Sequence, residues 1–178
     1  PDVPSITILA NDFIRYIQEV RNFSPATVRS YKYALNSFID LLGRDVDIQE
    51  IPLPEIDNFI TRYTLQHKLA PSSVNTLRCV LRSFFLYVDK YRDIRMVFDY
   101  SMIKQVKAPR PPIKFATADM ASAIIANMPT PQDKVMVMTM FVTGMRIGEL
   151  VKFRVEDFQE SEIIVRGKGG KSRVVPID

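Results

Sequence analysis

Residues 143–150 read Thr-Gly-Met-Arg-Ile-Gly-Glu-Leu, and residues 164–176 read Ile-Val-Arg-Gly-Lys-Gly-Gly-Lys-Ser-Arg-Val-Val-Pro. Gly144 is placed to end one helix, since glycine alone enters the left-handed conformation without strain. Arg146 then falls near the start of a further helix, expected from Met145 to about Arg154. A guanidinium there can fork two hydrogen bonds onto a phosphate, with the helix dipole adding positive potential. Glu149, three residues on, shares its helical face and can hold it. Downstream, Glu162 to Arg166 and Arg173 to Ile177 are rich in Ile and Val and flank Gly167-Lys168-Gly169-Gly170-Lys171, the pattern of a β-hairpin with a glycine-rich loop. Lys168 stands at its tip, where the glycines let backbone approach a ligand closely.

Working back from this stretch, Thr130-Pro131-Gln132-Asp133 carries a capping-box-like signal that opens a helix running through an apolar, Met-rich segment to Gly144. Thr117 to Met128 reads as another helix. The group Met136, Met138, Met140 and Met145 reads as core filling. Before these, Lys107, Pro109, Arg110, Pro111 and Pro112 make a basic, proline-stiffened stretch that cannot be helical, so a domain boundary is expected there.

The first half is all helical pattern. Ser24-Pro25 is a cap followed by proline at the first helical position, and Val28, Tyr31, Leu35, Phe38 and Leu42 recur at helical spacing before Gly43. Residues 71 to 89 repeat the design: at an offset of 46, Pro25, Val28, Lys32, Leu35, Ser37 and Phe38 match Pro71, Val74, Arg78, Leu81, Ser83 and Phe84. Shared helix-start chemistry is the simpler reading of this repeat, since two copies do not make a solenoid. Leu53-Pro54 opens a further helix to about His67, and Ser5 to Val20 carries Ile8, Phe13, Ile17 and Val20 on one side. A bundle of about four helices follows.

Composition is that of a folded chain, with 47% hydrophobic and 25% charged residues. A single cysteine, Cys79, excludes an intramolecular disulfide and a thiolate metal cluster. Apolar runs such as Val135 to Val142 are too short for a bilayer, and the first residues lack a secretion signal, so a cytoplasmic protein is expected. Net charge is only +4, but residues 71–114 hold nine basic and three acidic residues, a local +6 that leaves −2 elsewhere. Such a cluster suits phosphate better than a merely solvated surface does.

Plainer readings exist for individual residues. Arg146 alone reads more readily as a structural ion-pair partner of Glu149, and only the surrounding motif lifts it to a catalytic candidate. Gly170-Lys171-Ser172 matches the end of a P-loop, but the earlier glycine falls at Val165 and no helix follows. His67 reads as a helix-end residue.

Taken together, the motifs of 143–150 and 164–176 resemble the tyrosine recombinase (phage integrase) family. Ser24 to Leu42 and Ala70 to Val88 are similar to the two helices with which that family's core-binding domain grips DNA. The resemblance implies a mainly α fold: a four-helix, SAM-like core-binding domain over 1–106, a basic linker over 107–114, and, over 115–178, the N-terminal part of an α+β catalytic domain ending in a β-hairpin. It implies Arg146 as the first catalytic arginine on the scissile phosphate, Lys168 as proton donor to the departing 5′ oxygen, and Glu149 in support. No metal or cofactor is implied, because the family conserves bond energy in a 3′-phosphotyrosine.

The family's nucleophilic tyrosine, second arginine and further His or Trp lie beyond the hairpin. All seven tyrosines here, at 16, 31, 33, 63, 87, 91 and 100, precede Arg146. A truncated piece that binds DNA without cutting it is therefore expected.

The implied partner is double-stranded DNA, clamped between two domains, with the full-length enzyme a tetramer on DNA and this piece monomeric. Expected contacts are Thr27, Arg29, Ser30, Lys32, Ser72, Asn75, Arg78 and Arg82 on the two helices, Lys107, Arg110 and Lys114 in the linker, and Lys171 and Arg173 on the hairpin. A truncated, non-catalytic regulator of recombination sites is the alternative. A type IB topoisomerase or telomere resolvase fits the motifs less closely.

Overall fold

A computed structural model describes residues 3–42, 46–109, 112–159, 161–167 and 171–176. The chain forms two compact units, Pro1–Pro111 and Pro112–Asp178.

The first unit contains α1 (Ile6–Glu19), α2 (Pro25–Leu42), α3 (Leu53–His67) and α4 (Pro71–Tyr91). Three of the four begin with proline in the first turn, where its missing N–H would be unpaired anyway. The Ser24 hydroxyl accepts the Thr27 N–H at 3.3 Å, the cap expected of Ser-Pro. Each helix buries one apolar stripe, and the stripes meet in an aromatic centre. Phe13 lies 5.7 Å from Phe84 between ring centroids, and Phe38 lies 4.9 Å from Phe59 and 6.2 Å from Phe85. Such tilted pairs add to the area term of burial.

On α1 the buried face is Ile6, Leu9, Ala10, Phe13 and Ile17. Phe13 and Ile17 are where the sequence puts them, but Ile8 and Val20 are exposed. The stripe through Phe13 and Ile17 extends back by steps of three and four through Ala10, Leu9 and Ile6, so Ile8 falls on the opposite side and Val20 lies past the last turn.

After α4 the chain turns through Tyr100–Met102, buries Ile103, and runs extended along α4. Asn75 grips it there: its Nδ2 donates to the Val106 carbonyl at 2.9 Å, and its Oδ1 accepts the Val106 N–H at 2.8 Å.

In the second unit α5 (Ala118–Ala126) is capped by Thr117 and α6 (Pro131–Thr143) by Thr130, whose hydroxyl accepts the Asp133 N–H at 3.1 Å. Gly144 ends α6 at φ +62°. The next helix, α7, is shorter than the sequence suggests, spanning Ile147–Leu150 alone. The Arg154 N–H, which a continuing helix would send to the Leu150 carbonyl, is taken by Asp157 Oδ2 at 3.0 Å, and a 3-10 turn over Val155–Asp157 follows.

A three-stranded antiparallel sheet closes the unit, in the order β1 (Phe158–Gln159), β2 (Glu162–Arg166), β3 (Ser172–Pro176). β2 and β3 form the expected hairpin, with Val165 opposite Arg173 and Arg166 opposite Ser172. β1 is an addition, two residues long and too short to show alternation.

Met145, Ile163 and Val165 form the small core, with Leu150, Phe153 and Val175 against it. Of the methionine group, Met145 is buried, Met136 and Met140 are half-buried, and Met138 is 48% exposed. Core filling therefore describes Met145 and fails for Met138. α6 is apolar nearly all round, and the unit's few elements cover only part of its circumference. Among the described residues no helix is long and apolar enough to cross a membrane.

Candidate functional site

The α6–α7 turn and the root of the β2–β3 hairpin converge on one carboxylate. Gly144 turns the chain, Met145 plugs into the core beneath it, and Arg146 becomes the N-cap of α7. Glu149 Oε2 accepts the Arg146 N–H at 3.0 Å, and Oε1 accepts from Arg146 Nη1, also at 3.0 Å. One side chain therefore fixes both the backbone and the head group of the same arginine. Glu149 is 8% exposed at its side chain and Arg146 is 80% exposed, so the acid is buried beneath the cation it holds. The remaining guanidinium N–H groups face solvent, ready for an anion. With four residues, α7 contributes little dipole, and the positive potential here comes from the side chains.

A second arginine enters from β3. Arg173 Nη2 donates to Glu149 Oε2 at 3.0 Å and to the Gly144 carbonyl at 3.2 Å. Together these bonds, Arg173 foremost and the Arg146 N–H next, hold the Glu149 carboxyl at a pKa of about 2, against the opposing effect of desolvation. The hairpin also comes close through Gly167, where a Cβ would stand 3.5 Å from Glu149 Oε1 and 3.2 Å from the Lys171 carbonyl. The Gly167 N–H donates to that carbonyl at 2.7 Å, closing the base of the loop. Lys168 itself lies outside the described residues, as does Arg110.

Sequence reasoning missed a second arrangement of the same design eight residues on. Asp157 accepts the Arg154 N–H and is paired with Arg166 of β2, Nη2 to Oδ1 at 2.7 Å. The signal was present: Arg154 precedes Asp157 by the same interval that separates Arg146 from Glu149. Among the described residues no group of His, Cys, Asp or Glu could hold a metal.

In the first unit Arg29, Ser30, Lys32, Ser72 and Arg82 are exposed, as are Lys107 and Lys114 of the chain that follows. Thr27 is half-buried, its hydroxyl 2.8 Å from that of Ser24. Asn75 and Arg78 are occupied within their own unit: Asn75 grips Val106, while Arg78 Nη1 donates to the Lys104 carbonyl at 3.2 Å and lies 3.7 Å from Asp57 Oδ1. His67 packs against Tyr63 at the end of α3, the rings tilted by 41° with centroids 4.3 Å apart. Lys171 is exposed and Arg173 half-buried.

Two family models match the chain: the phage integrase N-terminal SAM-like domain over residues 10–90, and the phage integrase family over 114–178. Among curated proteins it is 26% identical to a tyrosine recombinase of Pseudothermotoga lettingae, over 95% of this chain and 61% of that one. It is 29% identical to tyrosine recombinase XerD of Haemophilus influenzae (88% and 55%) and 30% identical to tyrosine recombinase XerC of Psychromonas ingrahamii (95% and 58%). The chain thus spans 55–61% of the length of these relatives.

Its fold matches that of a lambda integrase dimer bound to a COC′ core site, at TM-score 0.78 and 18% identity over 97% of this chain and 49% of that one. It also matches a Tn1549 transposon integrase in complex with circular intermediate DNA, at TM-score 0.60 and 16% identity over 98% and 61%.

Proposed function

Because the chain belongs to the phage integrase, or tyrosine recombinase, family, we propose that it is the DNA-gripping part of a site-specific DNA recombinase and carries the first half of its strand-cleaving site. The whole enzyme cuts by attack of a tyrosine hydroxyl on the scissile phosphate, forming a 3′-phosphotyrosine and releasing a 5′ hydroxyl, and works as a tetramer on DNA. A single cysteine suits a reducing interior, and the cytoplasm is where we place that work. The observation that carries this reading is Arg146, a solvent-facing guanidinium fixed at backbone and head group by the buried Glu149.

Within this reading, residues 1–106 grip duplex DNA, 107–114 track its backbone, and 115–178 open the catalytic part. Arg146 stabilises the charge that accumulates on the phosphoryl oxygens as phosphorus becomes five-coordinate, and its preorganisation by Glu149 avoids reorganisation at that moment. Lys168 delivers a proton to the leaving 5′ oxygen. The exposed Arg29, Ser30, Lys32, Ser72 and Arg82, with Thr27, Lys107, Arg110, Lys114 and Lys171, supply the DNA contacts. Asn75 and Arg78 hold the start of the linker against α4 and help grip DNA through the placement of Lys104 and Lys107.

With every tyrosine before Arg146, the 178-residue chain binds duplex DNA as a monomer and does not cleave it. Fluorescence anisotropy on duplex DNA containing a family core site, combined with covalent trapping on a nicked duplex, tests both statements. Binding without adduct is expected. Absence of binding at low salt overturns the first statement, and a covalent adduct overturns the second.

A further inference from the structure

We infer that Arg173 is a positioning residue that locks the Arg146–Glu149 pair to the hairpin, and that it is not a phosphate ligand. This rests on the reading of Arg146 as the phosphate-binding arginine.

Three observations lead to it. Arg173 joins two elements that the sequence separates, reaching from β3 to Glu149 Oε2 and to the carbonyl of Gly144. Both acceptors lie within five residues of each other around the α6–α7 turn, so one guanidinium Nη2 ties the helix end and the helix-start carboxylate to a single strand. Second, Glu149 has two oxygens and each already accepts from Arg146, so without Arg173 a largely buried carboxylate would face one cation instead of two. Third, the strand that bears Arg173 ends the loop that bears Lys168, and Gly167 at the other root of that loop lies against Glu149.

The chemical consequence is a shared reference point. Arg146 acts on the non-bridging oxygens and Lys168 on the leaving oxygen of one phosphate, so their separation has to be held closely. Glu149 fixes the first directly, and Arg173 ties the strand that follows the second in sequence to the same carboxylate. The neighbouring Asp157–Arg166 pair has the same form without an assigned chemical role, and it serves as the internal control for a merely structural staple.

The test compares the 178-residue chain with R173A, R173K and R166A. Glu149 is followed by carbon-detected carboxyl titration, the Arg146 guanidinium by its nitrogen-proton signals, and duplex affinity against salt. In R173A the Glu149 midpoint is expected to rise from about 2 toward the ordinary carboxylate range, and the distinct Arg146 Nη signals to collapse into one averaged signal. The salt slope of DNA binding should stay unchanged. R173K, which keeps the charge on a shorter side chain with a different head-group geometry, should retain a low Glu149 midpoint and show partial averaging of Arg146. R166A should leave both Glu149 and Arg146 as in the parent.

The inference is overturned if Glu149 and Arg146 are indifferent to R173A, or if R166A moves them equally. It is overturned also if R173A lowers the salt slope by about 0.9, the signature of one lost phosphate contact. If R173A does not fold, an R173K protein with parental Arg146 signals and a reduced slope overturns it in the same way. Failure of the parent chain to bind DNA, with the Glu149 and Arg146 responses intact, would refute the functional reading and leave the positioning role standing.

Discussion

Replacing Arg82 by alanine should change how DNA binding responds to salt while leaving the fold intact. Five cations of the proposed interface, Arg29, Lys32, Arg82, Lys107 and Lys114, are exposed and form no ion pair with a carboxylate among the described residues. If each neutralises one phosphate, these five alone contribute about −4.5 to the slope of the logarithm of the association constant against that of salt, a share worth roughly 500-fold in affinity between 50 and 200 mM. R82A removes one contact. The slope becomes shallower by about 0.9, and the share of these cations over the same interval falls to roughly 150-fold. Arg78 sits one turn away on the same helix and should behave differently, because its guanidinium is engaged by Lys104 and Asp57 and its side chain is 17% exposed. R78A is expected to destabilise the first unit by about 1 kcal/mol, the scale of one hydrogen bond, with little change of slope. Anisotropy of a labelled duplex titrated at four or more salt concentrations measures both slopes. A parental slope near zero, or equal slopes for the parent and R82A, would refute the reasoning.

Tyrosine fluorescence reports the first unit alone, since all seven tyrosines lie there and the chain has no tryptophan; followed in urea, F84A should lose about 3–5 kcal/mol for its fully buried ring, while I8A stays within about 0.5 kcal/mol of the parent because Ile8 is exposed. Gly144 takes φ +62° with open space where a Cβ would sit, so G144A meets only backbone strain, costing about 1–2 kcal/mol, and G144N less; hydrogen exchange of the Met145 and Arg146 amides reads the difference. Glu149 has a folded pKa of about 2, below its unfolded value, so its contribution to stability is full above about pH 4.3 and disappears as pH falls through 2. The second unit of E149Q should lack that part of the acid dependence, as followed by amide shifts of Ile163 and Val165; a curve identical to the parent's would show that the carboxylate is not linked to folding.

How much of this was legible in the sequence depended on the range of the interaction that decides each element. Helix starts were clear because Ser24-Pro25, Leu53-Pro54 and Thr130-Pro131 act within one turn, and Gly144 marked a helix end for the same local reason. The hairpin strands were clear from runs of Ile and Val. The early end of α7 was missed although its signal is local: Asp157, three residues beyond Arg154, takes the N–H that a longer helix would use, and the apolar spacing past Leu150 masked it. The exposure of Ile8 was obscured by an α1 with apolar residues beyond its buried stripe.

At the candidate site, the Arg146–Glu149 contact followed from helical spacing, whereas Arg173, 24 residues from Glu149, needed the register of β2 with β3 to bring it there. Asn75 and Arg78 read as outward-facing polar residues because helical periodicity assigns a face and does not reveal that a later segment of chain will lie across it.

That crossing segment also bears on how the chain tolerates changes of length. Asn75 holds both backbone groups of a single residue, Val106, and Ile103 is buried just before it. An added residue beyond Val106 merely extends a tether, whereas one added between Ile103 and Val106 shifts the gripped residue out of register and leaves the amide of Asn75 facing the wrong peptide. The side chain of Asn75 thereby acts as a ruler: it marks, to a single residue, where the first unit stops counting its own length and the spacer begins.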